Sequence, residues 1–480
     1  MNGIVSYGGY LPVNRIDRKV ILGSMGWLKQ ASSLKGQKCV ANWDEDSLTM
    51  AVASAMNCLE SRDRDSVGSV YFASASSPFR ERGCAAIIGT ALDLKENLQT
   101  ADFSGTTGSG TAALIAALNG IGENSSGQAL VCASDVRLGK PGSSQELSFS
   151  DGAASLLVGS TGVIAEYEGS YSVAYDFPDH WRTEYDRTDR AWEDRFGREE
   201  GYRKFLFESI SGLLAKYTIS PRAIAKVAFP GMYPRDHAQI GKRLGFEPDQ
   251  LQDHLMADMG NIGSPYPFML LISALEDAHP GDKIIAAGFG SGSDALLFTV
   301  TEEIENQKGP NRGVKRYLES ERELPSYEKY LAFRNIISPE GGIRADDVPF
   351  TALSLIWRDR KEILGLCGSR CKRCGTPQYP AQRVCVNPDC GAIDEMEPYR
   401  FSHRKGTVFS FTGDLLAFTP IPPAIYALID FDGGGRFWFD VTDCNLEEMV
   451  IDMPVEMSLR RRYIDKQRGI VSYFWKAVPA

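Results

Sequence analysis

Four cysteines within twenty residues carry the strongest chemical signal in the sequence. Cys371 and Cys374 are separated by two residues, ten residues follow before Cys385, and four more precede Cys390. Two close pairs of thiolates supply four soft ligands in a tetrahedral arrangement, which suits Zn²⁺. Because all four ligands are thiolates, no open position is left for a substrate. The spacing therefore predicts a zinc ribbon in which structural zinc is the cofactor and has no catalytic role.

A turn of small residues is the second feature with chemical potential. The stretch "TADFSGTTGSGTAAL" (100–114) runs from a short apolar strand into an apolar helix. Turns of this kind hold a phosphate on backbone N–H groups or present a nucleophile at a helix N-terminus. This turn has neither the lysine of a phosphate loop nor a cysteine at its tip. Thr107 at the tip offers a hydroxyl and an N–H, which can stabilise an oxygen anion.

Tyr233, Asp236 and His237 form a short group of possible proton donors and acceptors. The chain has five histidines, and His237 lies next to a carboxylate, which makes it a candidate acid or base. In the alternative interpretation Asp236 is the N-cap of a helix that begins at His237. Three further tyrosines could donate a proton, although tyrosines more often serve packing: Tyr185, Tyr202 and Tyr266.

The elements that must position these residues follow an α/β pattern up to about residue 300. Apolar runs bounded by turn residues predict strands over 67–74, 127–135, 223–231 and 282–292. Helices are predicted between them, over 47–62, 84–92, 111–121 and 267–279. The alternation predicts a layered α/β core made of two halves with a similar coarse plan.

Residues 171–206 interrupt this pattern. The segment is dense in Asp, Arg and aromatic residues and has no clean periodicity. It is either a solvated insertion held by ion pairs or a lid or cavity wall, since long irregular loops in compact domains are often functional.

The last third of the chain has a different character. A polar, helical stretch punctuated by Pro310, Pro325 and Pro339 predicts a connector that docks on both neighbours. Short strands with Gly and Pro turns follow the cysteine cluster and predict a small all-β barrel. We expect five units: the two halves of the α/β core (1–165 and 166–305), a helical connector (306–366), the zinc ribbon (367–398) and the small β-barrel (399–480).

Composition excludes several classes of function. The balance of 43% hydrophobic and 24% charged residues is typical of a globular protein. A net charge of −10 argues against non-specific nucleic-acid binding, and the absence of any long apolar run argues against a membrane span. The first residues lack the pattern of a signal peptide, and the remaining cysteines are scattered. We therefore expect a cytoplasmic protein.

An ordered set of motifs resembles the thiolase superfamily, nearest to archaeal-type 3-hydroxy-3-methylglutaryl-CoA (HMG-CoA) synthase. The ribbon and the barrel that starts at "HRKGTVFSFT" (403–412) resemble the ribbon–OB family that accompanies such enzymes. The resemblance implies a thiolase-like duplicated core, a substrate of which CoA is part, and a homodimer. The matching motifs of the core are "GIVSYGGYLP" (3–12), "ADFSGTTGSGTAAL" (101–114), "FSDGAASLLVG" (149–159), "DFPDHWRTEYDR…RFGREEGY" (176–202), "KRLGF" (242–246), "GNIGSPYP" (260–267) and "GFGSGSDALLF" (288–298).

The departures from the family's motifs concern catalysis. Laid without gaps on this chain, the family's nucleophilic Cys falls on Thr107, its catalytic Glu on Ala75 and its His on Pro230. Acyl transfer through a thioester needs a polarisable sulfur of low pKa, which a threonine lacks. Cys84 and Cys132 could stand in, but their apolar neighbours predict core positions.

Other motif positions keep the means to bind a thioester. Asn261 falls in the family's G-N turn, where its amide would polarise a carbonyl. Arg235 aligns with the family's CoA-contacting Lys and keeps a positive charge. The expected substrate-binding set also includes Ser264 of the same turn, together with Ser291 and Gly292 of the "GFGSGSD" loop.

Three hypotheses for the function follow. The first is an enzyme that makes or breaks a C–C bond β to a CoA thioester by aldol chemistry, without a Cys-acyl intermediate. The second is a Claisen-type condensing enzyme or acyltransferase with a displaced nucleophile. The third is a non-catalytic CoA-binding scaffold for a thiolase-type partner subunit.

Overall fold

A long mixed sheet organises the first 300 residues of the computed structural model, which describes residues 2–28, 34–121, 127–306, 313–340, 352–417 and 419–480. The strands of this region are β1 (Gly3–Tyr10), β2 (Asn14–Asp17), β3 (Gln37–Val40), β4 (Val67–Ala73), β5 (Gln99–Phe103), β6 (Gln128–Val136), β7 (Asp151–Gly159), β8 (Ala165–Ala174), β9 (His180–Trp181), β10 (Arg190–Ala191), β11 (Lys226–Ala228), β12 (Lys283–Phe289) and β13 (Gly292–Val300). Nine of them form one sheet in the order β11-β12-β13-β8-β1-β7-β6-β4-β5. Strands of the two predicted halves meet where β1 pairs with β8.

Helices pack on both faces of this sheet. They are α1 (Arg18–Met25), α2 (Ser47–Cys58), α3 (Cys84–Ala91), α4 (Ser109–Gly120), α5 (Ser144–Ser148), α6 (Asp194–Phe196), α7 (Arg203–Lys216), α8 (Pro234–Leu244) and α9 (Tyr266–Glu276), with a π-helical turn over Gly197–Tyr202. The α4 and α9 helices contact each other and strands from both halves, so they form a central layer. The α9 helix is buried from Tyr266 to Leu275, as expected of a helix that is apolar on all sides.

The predicted elements are present, with one clear shortening. The apolar run over 223–231 contains a strand of only three residues, Lys226–Ala228. A 3₁₀ turn occupies Pro221–Ala223, and Pro230 has no N–H to donate to a neighbouring strand. The chain therefore leaves the sheet early and enters the loop that borders the site.

The connector contains α10 (Lys315–Glu319), β14 (Arg322–Glu323), α11 (Tyr327–Phe333), α12 (Leu353–Arg358) and α13 (Arg360–Gly365). Its docking on both neighbours is confirmed. Arg334 forms a buried 2.7 Å ion pair with Asp151 of the core. The α13 helix contacts α3 of the core and also strands of the ribbon and the barrel. Pro310 lies outside the described residues.

The ribbon and the barrel form separate sheets. The ribbon strands are β15 (Cys367–Cys371), β16 (Pro377–Gln378) and β17 (Met396–Arg400). The barrel strands are β18 (Gly406–Asp414), β19 (Ala424–Phe431), β20 (Arg436–Val441), β21 (Pro454–Asp465) and β22 (Ile470–Pro479). They close in the order β18-β19-β20-β22-β21, which confirms the small all-β barrel.

A buried group of charges fixes the barrel to the core. Arg460 on β21 is 1% exposed and lies 3.3 Å from Asp44 and 3.0 Å from Glu45, which precede α2. Asp443 of the barrel contacts the same guanidinium at 2.5 Å. Lys476 forms a second ion pair with Asp44 at 2.9 Å. The barrel is therefore a packed part of the molecule.

In the part of the chain that the structure describes, every helix falls short of the length and apolarity that crossing a membrane requires.

Candidate active site

A cavity of about 1040 Å³ lies against the start of α4, the loop before α9 and the 171–206 segment. It brings together sequence positions that are far apart along the chain. The predicted site positions on its wall are Thr107, Pro230, Tyr233, Arg235, Asp236 and Asn261.

Thr107 lies just before α4 and is held in place by two loops. Its hydroxyl donates a hydrogen bond to the carbonyl of Phe289 at 2.9 Å, and the residue is 8% exposed. A side chain at Gly290 would place its Cβ 2.5 Å from Thr107 Oγ1, so glycine is needed for this close approach. Because the hydroxyl proton is engaged, Thr107 offers a ligand only acceptor lone pairs at Oγ1.

Asn261 occupies the turn that precedes α9. Its Oδ1 accepts a hydrogen bond from the N–H of Gly263 at 3.1 Å, and its main chain pairs with the segment after α5. With Oδ1 engaged, the Nδ2 amino group is the part of the side chain that can donate to a ligand oxygen. This arrangement fits the predicted role of polarising a carbonyl.

Asp135 at the end of β6 orients the loops around the site, although no sequence motif identifies it. Its Oδ1 accepts hydrogen bonds from the N–H of Ala75 and the hydroxyl of Ser76, both at 2.7 Å. Its Oδ2 accepts the N–H of Ser264 at 2.7 Å. A polar residue that ends an apolar strand was the only local signal. The carboxylate thus joins the Ala75 loop to the turn that carries Asn261.

The predicted group of proton donors and acceptors is only partly assembled. Tyr233 and Asp236 line the cavity, but His237 is 4% exposed and packs its ring 4.1 Å from that of Phe229. Burial, together with the nearby His254, lowers the pKa of His237 to about 4. The structure therefore places His237 behind the cavity wall.

The capping alternative for Asp236 is wrong. The α8 helix begins at Pro234, because proline is favoured in the first turn, and Asp236 lies inside that turn. Its carboxylate contacts Arg198 at 3.3 Å and Arg203 at 3.8 Å. Asp236 thus holds the positive charges of the insertion at the cavity wall.

The tyrosines are engaged by other groups. The Tyr233 hydroxyl donates to Asp194 at 2.8 Å, and burial followed by that carboxylate raises the pKa of Tyr233. Tyr202 and Tyr266 also line the cavity, but their hydroxyls donate at 2.6 Å to the carbonyls of Pro230 and His254 respectively. Tyr185 is 91% exposed and away from the cavity.

The 171–206 segment has features of both interpretations. Asp189 pairs with Arg137 and with Arg182, each at 3.0 Å, so ion pairs do hold the segment. Trp192 and Arg198 line the cavity, so the segment is also its wall. Together with Lys35, Arg203 and the exposed Arg235, the lining carries several cations that could meet phosphate groups.

Three predicted substrate-binding residues do not line the cavity. Ser264 is fully buried, and its hydroxyl lies 3.0 Å from that of Ser109. Ser291 is exposed in the turn between β12 and β13, and Gly292 begins β13. Ser264 therefore supports the site from behind, and no contact places the other two at the cavity.

Cys84 and Cys132 are core residues, as expected. Both are 0% exposed, and burial raises the pKa of Cys84 to about 11 and that of Cys132 to about 12. Neither lines the cavity. A buried thiol of high pKa is a poor nucleophile.

The four ribbon cysteines fit a zinc ion. Their sulfur atoms all lie within 4.8 Å of one another, with 3.8 Å between Cys371 and Cys390 and 3.5 Å between Cys374 and Cys385. Zn–S bonds of about 2.3 Å in a tetrahedron place sulfurs about 3.8 Å apart. A glycine of positive φ follows Cys374 and Cys390, as the tight turns of a ribbon require.

Comparisons with known proteins agree with this architecture. The family described as "ChsH2, C-terminal OB-fold domain" matches residues 399–460. The solved structure of an HMG-CoA synthase complexed with CoA superimposes with a TM-score of 0.61 over 69% of this chain and 89% of that chain, at 21% identity. MvaS in complex with 3-hydroxy-3-methylglutaryl coenzyme A gives a TM-score of 0.59 over 72% and 93%, at 16% identity. These structures share the thiolase-like fold of the core.

Two relatives found by sequence have a higher identity to this chain than these two structures do. The hydroxymethylglutaryl-CoA synthase of Methanopyrus kandleri is 32% identical over an alignment of 345 residues that covers 69% of this chain and 97% of the relative. The synthase of Methanocaldococcus jannaschii is 31% identical over an alignment of 347 residues that covers 70% of this chain and 99% of the relative. The chain therefore belongs to the hydroxymethylglutaryl-CoA synthase family and carries an OB-fold domain after its thiolase-like core.

Proposed function

We propose that this protein is an enzyme that makes or breaks a C–C bond β to a CoA thioester, by aldol chemistry and without a covalent acyl-enzyme. Membership of the family supports an acyl-CoA substrate and condensing chemistry. The observation that carries the aldol proposal is the cavity itself. Thr107 and Asn261 line it, whereas none of the described residues on its wall is a cysteine.

Cleavage needs stabilisation of negative charge and movement of one proton. The Cα–Cβ bond breaks, and its electron pair becomes the enolate of the CoA thioester. The β-hydroxyl loses its proton and becomes the carbonyl of the released aldehyde or ketone. A proton then adds to Cα and replaces the one lost from the β-hydroxyl, so the reaction consumes no net proton. In this proposal Asn261 Nδ2 donates a hydrogen bond to the thioester oxygen, where the enolate charge develops.

The cations on the cavity wall support the CoA part of the proposal. Lys35, Arg203 and Arg235 lie on the wall with Arg198, whose charge Asp236 partly balances. Phosphate groups of CoA would meet these side chains while the thioester extends toward Thr107.

The Claisen-type alternative requires a displaced nucleophile, for which Cys84 and Cys132 are poorly suited. A non-catalytic scaffold for a thiolase-type partner is the other alternative, since the spacing of the motifs puts Thr107, Ala75 and Pro230 where the family's catalytic residues are expected. A homodimer is part of the proposal, and the exposed edge strand β5 leads directly to Thr107.

A product assay separates these alternatives. The protein would be incubated with a series of 3-hydroxyacyl-CoAs, and the CoA esters and carbonyl products would be identified by mass spectrometry. We expect a shortened acyl-CoA and an equal amount of aldehyde or ketone, before and after alkylation of accessible thiols with zinc retained. Loss of activity on alkylation with zinc retained would contradict the aldol proposal, and turnover only after a partner thiolase is added would favour the scaffold.

A further inference from the structure

We propose that His254 is a further catalytic residue, whose Nε2–H donates a second hydrogen bond to the thioester oxygen beside Asn261. This inference rests on the proposed function and names a group that stabilises its enolate. His254 is half-buried and lines the cavity together with Thr107 and Asn261.

The backbone at His254 is hydrogen-bonded to helix α9, which follows the Asn261 turn. His254 and Asn261 lie on the same loop, between the 3₁₀ turn Pro248–Gln250 and α9. The hydroxyl of Tyr266, the first residue of α9, donates to the carbonyl of His254 at 2.6 Å. This bond holds helix α9 and the backbone at His254 together beside the Asn261 turn.

Glycine at position 231 makes room for the imidazole. A Cβ built at Gly231 would overlap Cβ and Cγ of His254, so any side chain there would displace the ring. Gly231 follows Pro230, the position on which the family's His falls by spacing and which also lines the cavity. An imidazole from the Asn261 loop therefore packs beside the position that lacks one.

The hydrogen bonds of His254 define which nitrogen carries the proton. Nδ1 accepts the N–H of Met256 at 3.1 Å, so the proton of the neutral ring is on Nε2. The ring of His237 stands edge-on at 5.2 Å, and burial lowers the pKa of His254. A neutral imidazole in this tautomer donates a hydrogen bond without transferring its proton.

Exchange of the α-hydrogens of acetyl-CoA with D₂O tests this role without the need for the true substrate. The aldol cleavage ends with protonation of the enolate at Cα, and the reverse of that step exchanges hydrogen with solvent. We expect the wild-type protein to exchange, and His254→Leu to exchange about 10²-fold more slowly with unchanged acetyl-CoA affinity. His254→Gln, whose amide can reach the same position as Nε2, should recover at least a tenth of the wild-type rate.

Two further variants complete the design. Gly231→Ala should slow exchange, because the added methyl group displaces the His254 imidazole without removing it. If His254→Leu does not fold, Gly231→Ala is the variant that tests the role of His254. His237→Phe, which alters a ring behind the wall, should exchange like the wild type. Absence of exchange in the wild type would contradict the proposed function. Wild-type exchange that His254→Leu or Gly231→Ala leaves unchanged would overturn the role of His254 alone.

Discussion

At the scale of single residues, the proposed absence of an acyl-enzyme depends on the side chain at position 107. The Thr107 hydroxyl is nearly buried and donates to the Phe289 carbonyl, so it is neither deprotonated nor directed at a ligand as a donor. A cysteine at this place would lie just before the N-terminus of α4, where the helix dipole favours a thiolate.

Thr107→Cys tests whether the thioester reaches this residue. We expect the variant to gain the mass of one acetyl group after incubation with acetyl-CoA, because a thiolate beside the bound thioester can attack it. Thr107→Ser is the matched control and should gain no mass. Failure of the cysteine variant to acylate, despite unchanged binding of acetyl-CoA, would place the thioester elsewhere in the cavity.

His237 makes folding stability sensitive to acid. Its pKa is about 4 in the folded protein, below the usual value of histidine, because the ring is buried. Its contribution is therefore complete above about pH 6.5 and is lost as the pH falls toward 4. Between about pH 7 and about pH 4.5 we expect the wild type to lose about 2 kcal/mol more unfolding free energy than His237→Phe. Equal losses in urea titrations would contradict the assignment.

Residue-level prediction from the sequence is strongest where a motif restricts local geometry. Two motif turns point to Thr107 and Asn261, and both residues line the cavity. The predicted role of Asn261 stays a prediction, whereas the Thr107 hydroxyl is bonded to the Phe289 carbonyl and is not free to stabilise an oxygen anion. His254 and Asp135 were missed, because their roles depend on contacts with Gly231 and with the Ala75 loop that no local pattern encodes. His237 was favoured by its acidic neighbour, but the fold packs it on Phe229.

At the scale of elements, the ribbon is the unit that we expect to depend most on a bound zinc ion. Its strands are short, and the core around Cys371, Cys385 and Ala392 is small. Zinc should therefore supply much of its stability. The spacing of the cysteines is sufficient to predict this unit, since ligand geometry restricts the chain strongly.

The length of β11 in the α/β core is not predictable from the sequence, because the apolar run continues past the point where Pro230 ends strand pairing.

Cys385→Ser tests the metal assignment. We expect zinc, measured by atomic absorption, to fall from one ion per chain to well below that, and the ribbon to become sensitive to protease. Cys367→Ser is the matched control, because this cysteine begins β15 but lies outside the four-sulfur cluster. Full zinc content in Cys385→Ser, or equal loss in the control, would contradict the assignment.

At the scale of the whole molecule, the sequence predicts an α/β core, a small β-barrel and a connector that docks on both, but it does not predict how the barrel itself contacts the core. Arg460 is separated from Asp44 by more than four hundred residues, and no periodicity relates the two. The buried charges nevertheless join barrel and core, with Lys476 as a second cation on Asp44. A complete set of partners is what makes such burial tolerable.

Arg460→Met should destabilise the whole protein. Removing the guanidinium leaves Asp44, Glu45 and Asp443 with less compensation in a buried place, at a cost of about 3–5 kcal/mol in unfolding free energy. Arg383→Met, which breaks an ion pair with Asp394 on an 81% exposed side chain, should cost less than about 1 kcal/mol. Similar costs in chemical denaturation would contradict the docking role.

The proposed activity is C–C bond chemistry on a CoA thioester without a covalent acyl-enzyme. Mass spectrometry of the intact protein and of its products, in one reaction with a 3-hydroxyacyl-CoA, tests both parts of this proposal at once. We expect a shortened acyl-CoA and a released aldehyde or ketone while the protein keeps its mass. A protein that gains the mass of an acyl group during turnover would contradict it.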